Sequence, residues 1–162
     1  MMKRYTILMV LIFGLFVVLG CEDDSSTGPD DTNADAWVGT WLSSGSNVAV
    51  ILSYYFSYDS VEVVLTEDNT VTLKTHVLNG AWTTTQGTFV ITESTDSDID
   101  AIQLIYPAFE QSGIIEIDAD TLRLEAVQTT PDIGAAVPTV AGGFGADVTL
   151  GTNNIQTYIR QD

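Results

Sequence analysis

Val71-Thr72-Leu73-Lys74-Thr75-His76-Val77, followed by Leu78 and Asn79-Gly80, is the stretch that decides the fold. Val71, Leu73, Thr75 and Val77 fall on one side of an extended chain, and Thr72, Lys74 and His76 fall on the other. Successive side chains of a strand point to opposite faces, so this alternation predicts a half-buried β-strand. Asn and Gly accept positive φ angles, and Asn79-Gly80 therefore predicts a tight hairpin turn into a further strand. Upstream, Asp59-Ser60-Val61-Glu62-Val63-Val64-Leu65-Thr66 is equally β-rich, and Glu67-Asp68-Asn69-Thr70 turns it back.

The same pattern extends outward in both directions. Residues 81–92 read as a long strand, with Gly87 marking a bulge or bend. Residues 96–100 form a polar turn, and 101–106 form a strand that stops at Pro107. Residues 114–118 and 121–128 pair as a hairpin around Ala119-Asp120, and 155–160 supply the last strand. One short helix is expected over 47–54. Successive strands joined by short polar turns predict an all-β antiparallel fold, either an up-and-down barrel or a β-sandwich. The length of 37–162 suits one domain with one core.

The N-terminal residues are of another kind. Lys3 and Arg4 precede an almost unbroken apolar run over 6–19, and then come Gly20 and Cys21. A basic start, a short apolar core and a small residue describe a secretory signal. The run falls short of the about 20 residues that a spanning helix requires, so 1–20 are expected to be removed. Val18-Leu19-Gly20-Cys21 resembles the lipobox of bacterial lipoproteins. That resemblance implies a diacylglyceryl group on the Cys21 thiol, cleavage just before it, and an acyl chain on the new amine. A single acyl chain anchors only marginally, whereas two or three hold a protein firmly. Cys21 is the sole cysteine and has no disulfide partner within the chain. Glu22-Asp23-Asp24 resembles the surface-export signal of some bacterial lipoproteins, and a plain charged linker is the alternative. The implied location is the bacterial cell envelope, at the outer membrane and with surface exposure. Residues 21–36 are acidic and small, lack a large apolar side chain and form a tether, with an r.m.s. reach of roughly 20 Å.

Trp37-Val38-Gly39-Thr40-Trp41 resembles the opening strand of lipocalins and lipocalin-like domains, which carry a Gly-x-Trp motif. No Thr-Asp-Tyr follows, so the likeness is to the divergent lipocalin-like domains of bacterial lipoproteins. It implies a barrel in which Trp41 closes one end behind Gly39 and a basic residue of the last strand packs over the indole. Arg160 is the first candidate for that residue and Arg123 the second. It also implies a small hydrophobic ligand. A tryptophan in the core of a sandwich is the alternative role for Trp41.

Charge and chemistry narrow the function further. The chain carries 22 acidic residues and a formal charge of −17. After the signal only Lys74, Arg123 and Arg160 oppose those acids. Such a surface repels phosphate backbones, so no nucleic-acid partner is expected. His76 is the only histidine, on the polar side of its strand, where solvation is the ordinary reading. Gly-x-Ser-x-Gly, Cys/His clusters and phosphate-binding glycine loops are missing from the sequence. No enzymatic activity and no separate cofactor are expected. Asp96, Asp98 and Asp100 alternate near Glu93 and make a weak calcium candidate, with a solvated acidic turn as the ordinary reading.

The segment 129–154 is rich in Pro, Gly and Ala. Its Ile133, Val137, Val140 and Phe144 are expected either to lie over one end of the barrel as a lid or to be pinned to the outer wall. Three roles remain open: holding a small apolar ligand, a structural or assembly role in the envelope, and carbohydrate binding at the surface. The last would use Tyr54, Tyr55, Phe56, Tyr58, Trp82 and Tyr106 as stacking faces.

Overall fold

The period-two alternation runs around the whole molecule and closes on itself. The computed structural model describes residues 36–162; Cys21, the signal over 1–20 and the tether up to residue 35 lie outside the described residues. The strands are β1 (Gly39–Ser44), β2 (Tyr58–Leu65), β3 (Thr70–Val77), β4 (Trp82–Thr92), β5 (Ile99–Ile105), β6 (Glu110–Asp118), β7 (Thr121–Thr130) and β8 (Ile155–Gln161). They form a closed antiparallel barrel in simple sequence order. Closure rests on Thr40↔Gln161, Trp41↔Arg160 and Leu42↔Ile159 between β1 and β8. That ladder decides for the up-and-down barrel and against the sandwich.

Alternation sorts the side chains by face. Trp41, Val63, Leu65, Val71, Phe89, Ile102, Leu104, Ile115 and Leu122 point inward and are buried in one cluster. Each such side chain contributes about 1.5–3 kcal/mol by leaving water. Glu62 faces Lys74 across the β2–β3 ladder at 2.6 Å, and Glu116 faces Arg123 across β6–β7 at 2.8 Å, both on the outer wall. An apolar interior inside a polar wall is the reverse of a barrel built to face lipid. Among the described residues no helix is long and apolar enough to cross a membrane.

Several local details differ from expectation. The helix, α1, spans Val50–Phe56 and starts later than residue 47, because Asn47 lies in a 3-10 turn (Gly45–Asn47) and Ala49 occupies the cap position. Ser57, in the left-handed region at φ 57°, ends it. The β3–β4 connection covers four residues, 78–81, rather than two. Gly80 N–H donates to Val77 O at 2.7 Å, and Leu78 N–H is held by Ser57 O at 3.1 Å. Asn79 alone in that turn takes a positive φ, 62°.

Gly87 is not a bulge, since Thr72↔Gln86, Val71↔Gly87 and Thr70↔Thr88 stay in register. A Cβ there would lie 2.2 Å from Ile105 O. Glycine is needed because β4 exchanges its β3 partner for β5 at this corner, where Thr88 meets Ile105. β6 starts at Glu110 rather than near 114. Of its first residues, Gln111 lines the interior that side chains do not fill, while Ser112 faces the outer wall.

Candidate functional site

The two poles of the barrel are built differently. At one, Trp41 is fully buried and its indole N–H donates to Trp37 O at 2.8 Å. The Arg160 guanidinium lies 4.1 Å over the same ring. It donates from Nη1 to Val38 O at 2.8 Å and from Nη2 to Ala36 O at 2.5 Å. Gly39 has φ 147°, and a Cβ on it would come within 2.7 Å of Arg160 Nη1. The motif thus has a local cause: glycine leaves room for the cation that covers the tryptophan. Arg123 takes no part in this pole, because it faces outward and pairs with Glu116.

At the other pole the interior is open. A cavity of about 220 Å³ lies between Val61, Leu73, Phe109, Leu124, Ala126 and Tyr158, with Leu52 and Phe56 of α1 at its rim. It exists because inward positions here are short or polar, as where Gly113 faces Ala126 and Gln111 faces Gln128 across the β6–β7 ladder. Thr75, Asn154 and Gln156 complete the polar lining, and no lining side chain is charged.

Gln156 is 3 % exposed, and Ala49 N–H donates to its Oε1 at 2.7 Å. Its Nε2 and the buried Ser43 Oγ have no hydrogen-bond partner among the described residues. Burial holds the Tyr158 phenol far above its ordinary pKa, and the nearby Tyr106 adds to the shift. Tyr106 is itself raised by burial. Both therefore remain neutral hydroxyls at physiological pH. The chamber can hold an apolar body and donate a few hydrogen bonds to it.

No protein family, curated protein or solved structure matches the chain.

The other sequence candidates lie elsewhere. Val137 and Val140 border a groove on the outer wall together with Val90, Gln103 and Ser112. The Phe144 ring sits 4.2 Å from the Arg123 guanidinium, also outside. Gly145 N–H donates to Glu125 Oε2 at 2.7 Å, and Ile133 is exposed. None of Ile133, Val137, Val140 and Phe144 lines the cavity. The segment is a strap on the outer wall and not a lid, the second of the two placements expected for it. The cause is the outer face of β6 and β7. Ile114 and Val127 point outward there, and they are buried at 0 % and 4 % exposure together with Glu125 at 1 %. That patch requires a cover, while α1 already flanks the mouth.

Asp96, Asp98 and Asp100 do not converge. Asp100 Oδ1 accepts Ser94 N–H at 2.8 Å, whereas Asp96 and Asp98 are exposed. Among the described residues no group of three or more His, Cys, Asp or Glu side chains is placed to hold a metal ion. His76 is less solvated than its strand face suggested. Its Nδ1 lies 2.5 Å from Asp59 Oδ1, and its ring packs 5.1 Å from Trp82.

The aromatic residues divide between surface and core. Tyr54, Tyr55 and Phe56 are exposed on α1, while Tyr106 is buried and packs on Phe109 at 4.6 Å.

Sequence reasoning missed Gln156 and Glu125. A signal for the first was present. If Arg160 points inward over Trp41, period two also turns Tyr158 and Gln156 inward. Glu125 carried no such signal, because it faces outward and its partner, Gly145, is set by the fold of the strap and not by strand alternation.

Proposed function

We propose that this is a lipid-anchored binding protein of the bacterial envelope, not an enzyme, which holds a small, largely apolar molecule in the open half of its barrel. The observation that carries the reading is the cavity of about 220 Å³ between β-strands and α1. An eight-stranded barrel is just wide enough to be filled by its own side chains or to admit one small ligand. Here Trp41, Phe89 and Leu65 help to fill one half, while the other half is left open between residues such as Ala126, Thr75 and Gln111. The volume lies below the common range for drug-sized ligands, about 300–1,000 Å³, and above the roughly 150 Å³ that admits benzene. The lining offers amides, hydroxyls and a phenol but no activated nucleophile or cation, which supports binding over catalysis. The lipocalin-like Gly39-Thr40-Trp41 supports the same reading, and Val18-Leu19-Gly20-Cys21 supports the anchor.

Native mass spectrometry of the gently extracted protein tests for cargo. The expected result is a bound species lost when Ala126→Leu fills the chamber. Recovery of only the unliganded mass, with no small molecule stabilising the fold, would overturn the reading. For the anchor, Cys21→Ser is expected to move the folded protein to the soluble fraction; retention on membranes would refute it. A second reading rests on Tyr54 and Tyr55 of α1, 77 % and 72 % exposed. Aromatic faces so placed stack on sugars, and a glycan array with no hits would remove that reading.

A further inference from the structure

We propose that Gln156 is the recognition residue of the cavity, selecting neutral ligands that carry a hydrogen-bond acceptor, such as a carbonyl oxygen, over hydrocarbons and carboxylates. This rests on the reading of the cavity as a ligand site. The orientation of the amide is set by its neighbour. Ala49 N–H is a donor and approaches one amide atom at 2.7 Å, so that atom must be the oxygen. The NH₂ group is consequently the free end. It is buried, it finds no protein acceptor, and its residue lines the chamber. Buried polar groups are nearly always partnered, and an exception calls for a cause. An NH₂ can only donate, so the missing partner is an acceptor.

Neutrality follows from the rest of the lining. A carboxylate brought into the chamber would meet no Lys, Arg or His, and burying an unpaired charge is far costlier than burying a neutral dipole. The Tyr158 phenol, two residues along the same strand, lines the same wall and adds no charge to it. Size follows by proportion. Benzene occupies roughly 150 Å³ in a protein cavity, so about 220 Å³ admits roughly nine non-hydrogen atoms inside the barrel.

Three probes of nearly equal size and shape separate the terms: acetophenone, α-methylstyrene and benzoate. The first two differ in placing a carbonyl oxygen or a methylene at one position, and the third adds charge. Each is titrated calorimetrically into the full-length protein in detergent. Acetophenone is expected to bind about fivefold to tenfold more tightly than α-methylstyrene, as one neutral hydrogen bond implies. Benzoate is expected to bind most weakly. Gln156→Met removes the NH₂ and puts no donor in its place, so the preference for acetophenone is expected to vanish. Gln156→Leu serves the same comparison if the first variant does not fold.

Equal affinity of the wild type for acetophenone and α-methylstyrene would overturn the role of Gln156 while leaving the cavity as a binding site. Benzoate binding as tightly as acetophenone would overturn neutrality. A preference that survives loss of the NH₂ would overturn the assignment to Gln156. Failure of all three probes to bind would remove the cavity reading itself.

Discussion

Replacing Arg160 by alanine is expected to destabilise the barrel by about 3 kcal/mol. The guanidinium makes two hydrogen bonds, at 2.8 Å to Val38 O and 2.5 Å to Ala36 O, and covers the Trp41 ring at 4.1 Å. Hydrogen bonds to charged groups contribute about 1.5–3 kcal/mol each, and a cation over a ring about 0.5–2 kcal/mol depending on desolvation. The side chain is 29 % exposed, and both carbonyls lie at the end of the barrel, where water can replace part of what is lost. Those two facts set the estimate near the low end of the sum. For a domain of this length, about 3 kcal/mol corresponds to a fall of roughly 10 °C in the thermal midpoint. Circular dichroism measures that fall, and tryptophan emission reports its cause, because uncovering Trp41 shifts its emission to the red and admits a collisional quencher. Arg160→Lys is expected to recover only part of the loss, since a point charge cannot span both carbonyls and lie flat on the ring. Arg123→Ala, which breaks an outer pair with Glu116 and uncovers the Phe144 ring, is expected to cost about 1 kcal/mol, because the guanidinium is 40 % exposed. A midpoint that falls by less than about 2 °C in Arg160→Ala, or as far in Arg123→Ala, would refute the argument that Arg160 clamps this pole.

Other consequences are equally open to measurement. Ala126→Leu adds carbon to the empty half of the barrel, so it should leave the midpoint unchanged or raise it by about 1 kcal/mol equivalent while abolishing uptake of any probe. Glu125→Ala removes the acceptor of Gly145 N–H; it should cost about 1–3 kcal/mol and speed protease cutting within 131–150. Equal cutting rates would mean that apolar contacts alone hold the strap. Burial raises the pKa of Tyr106 and Tyr158, so the unfolded chain ionises them first as pH rises. Their contribution to stability is full below the ordinary tyrosine value of about 10 and is lost as pH climbs through the folded values. In an alkaline titration of tyrosinate absorbance, two residues should ionise only together with unfolding. Tyr158→Phe should remove one of them.

The strands were readable wherever one face meets a filled interior and the other meets water. β3 is the clearest case: Val71 and Leu73 face in, Lys74 and His76 face out. Readability failed where that contrast is missing. Glu110, Gln111 and Ser112 look like loop because Gln111 faces a cavity and Ser112 faces the strap. Barrel and sandwich could not be separated because the deciding pairs, Trp41↔Arg160 and its neighbours, join residues from opposite ends of the domain. The closed pole was partly visible in Gly39, Trp41 and Arg160, whose resemblance pointed to a contact that local spacing does not encode. The open pole was not visible. A cavity is made by what side chains leave empty, and no single residue announces it. Lid and wall strap stay equally open in the sequence of 129–154, because its apolar residues do not reveal the outward patch, Ile114 and Val127, that decides between them.

The two poles also give the molecule a direction. Ala36 and Val38 are held beneath Arg160 at the sealed end, while the chamber opens beside α1 at the far end. The described chain therefore enters the barrel at the base of the cup and not at its rim. A substitution that loosens the base and one that reshapes the mouth act on opposite ends, so stability and ligand choice can be altered separately.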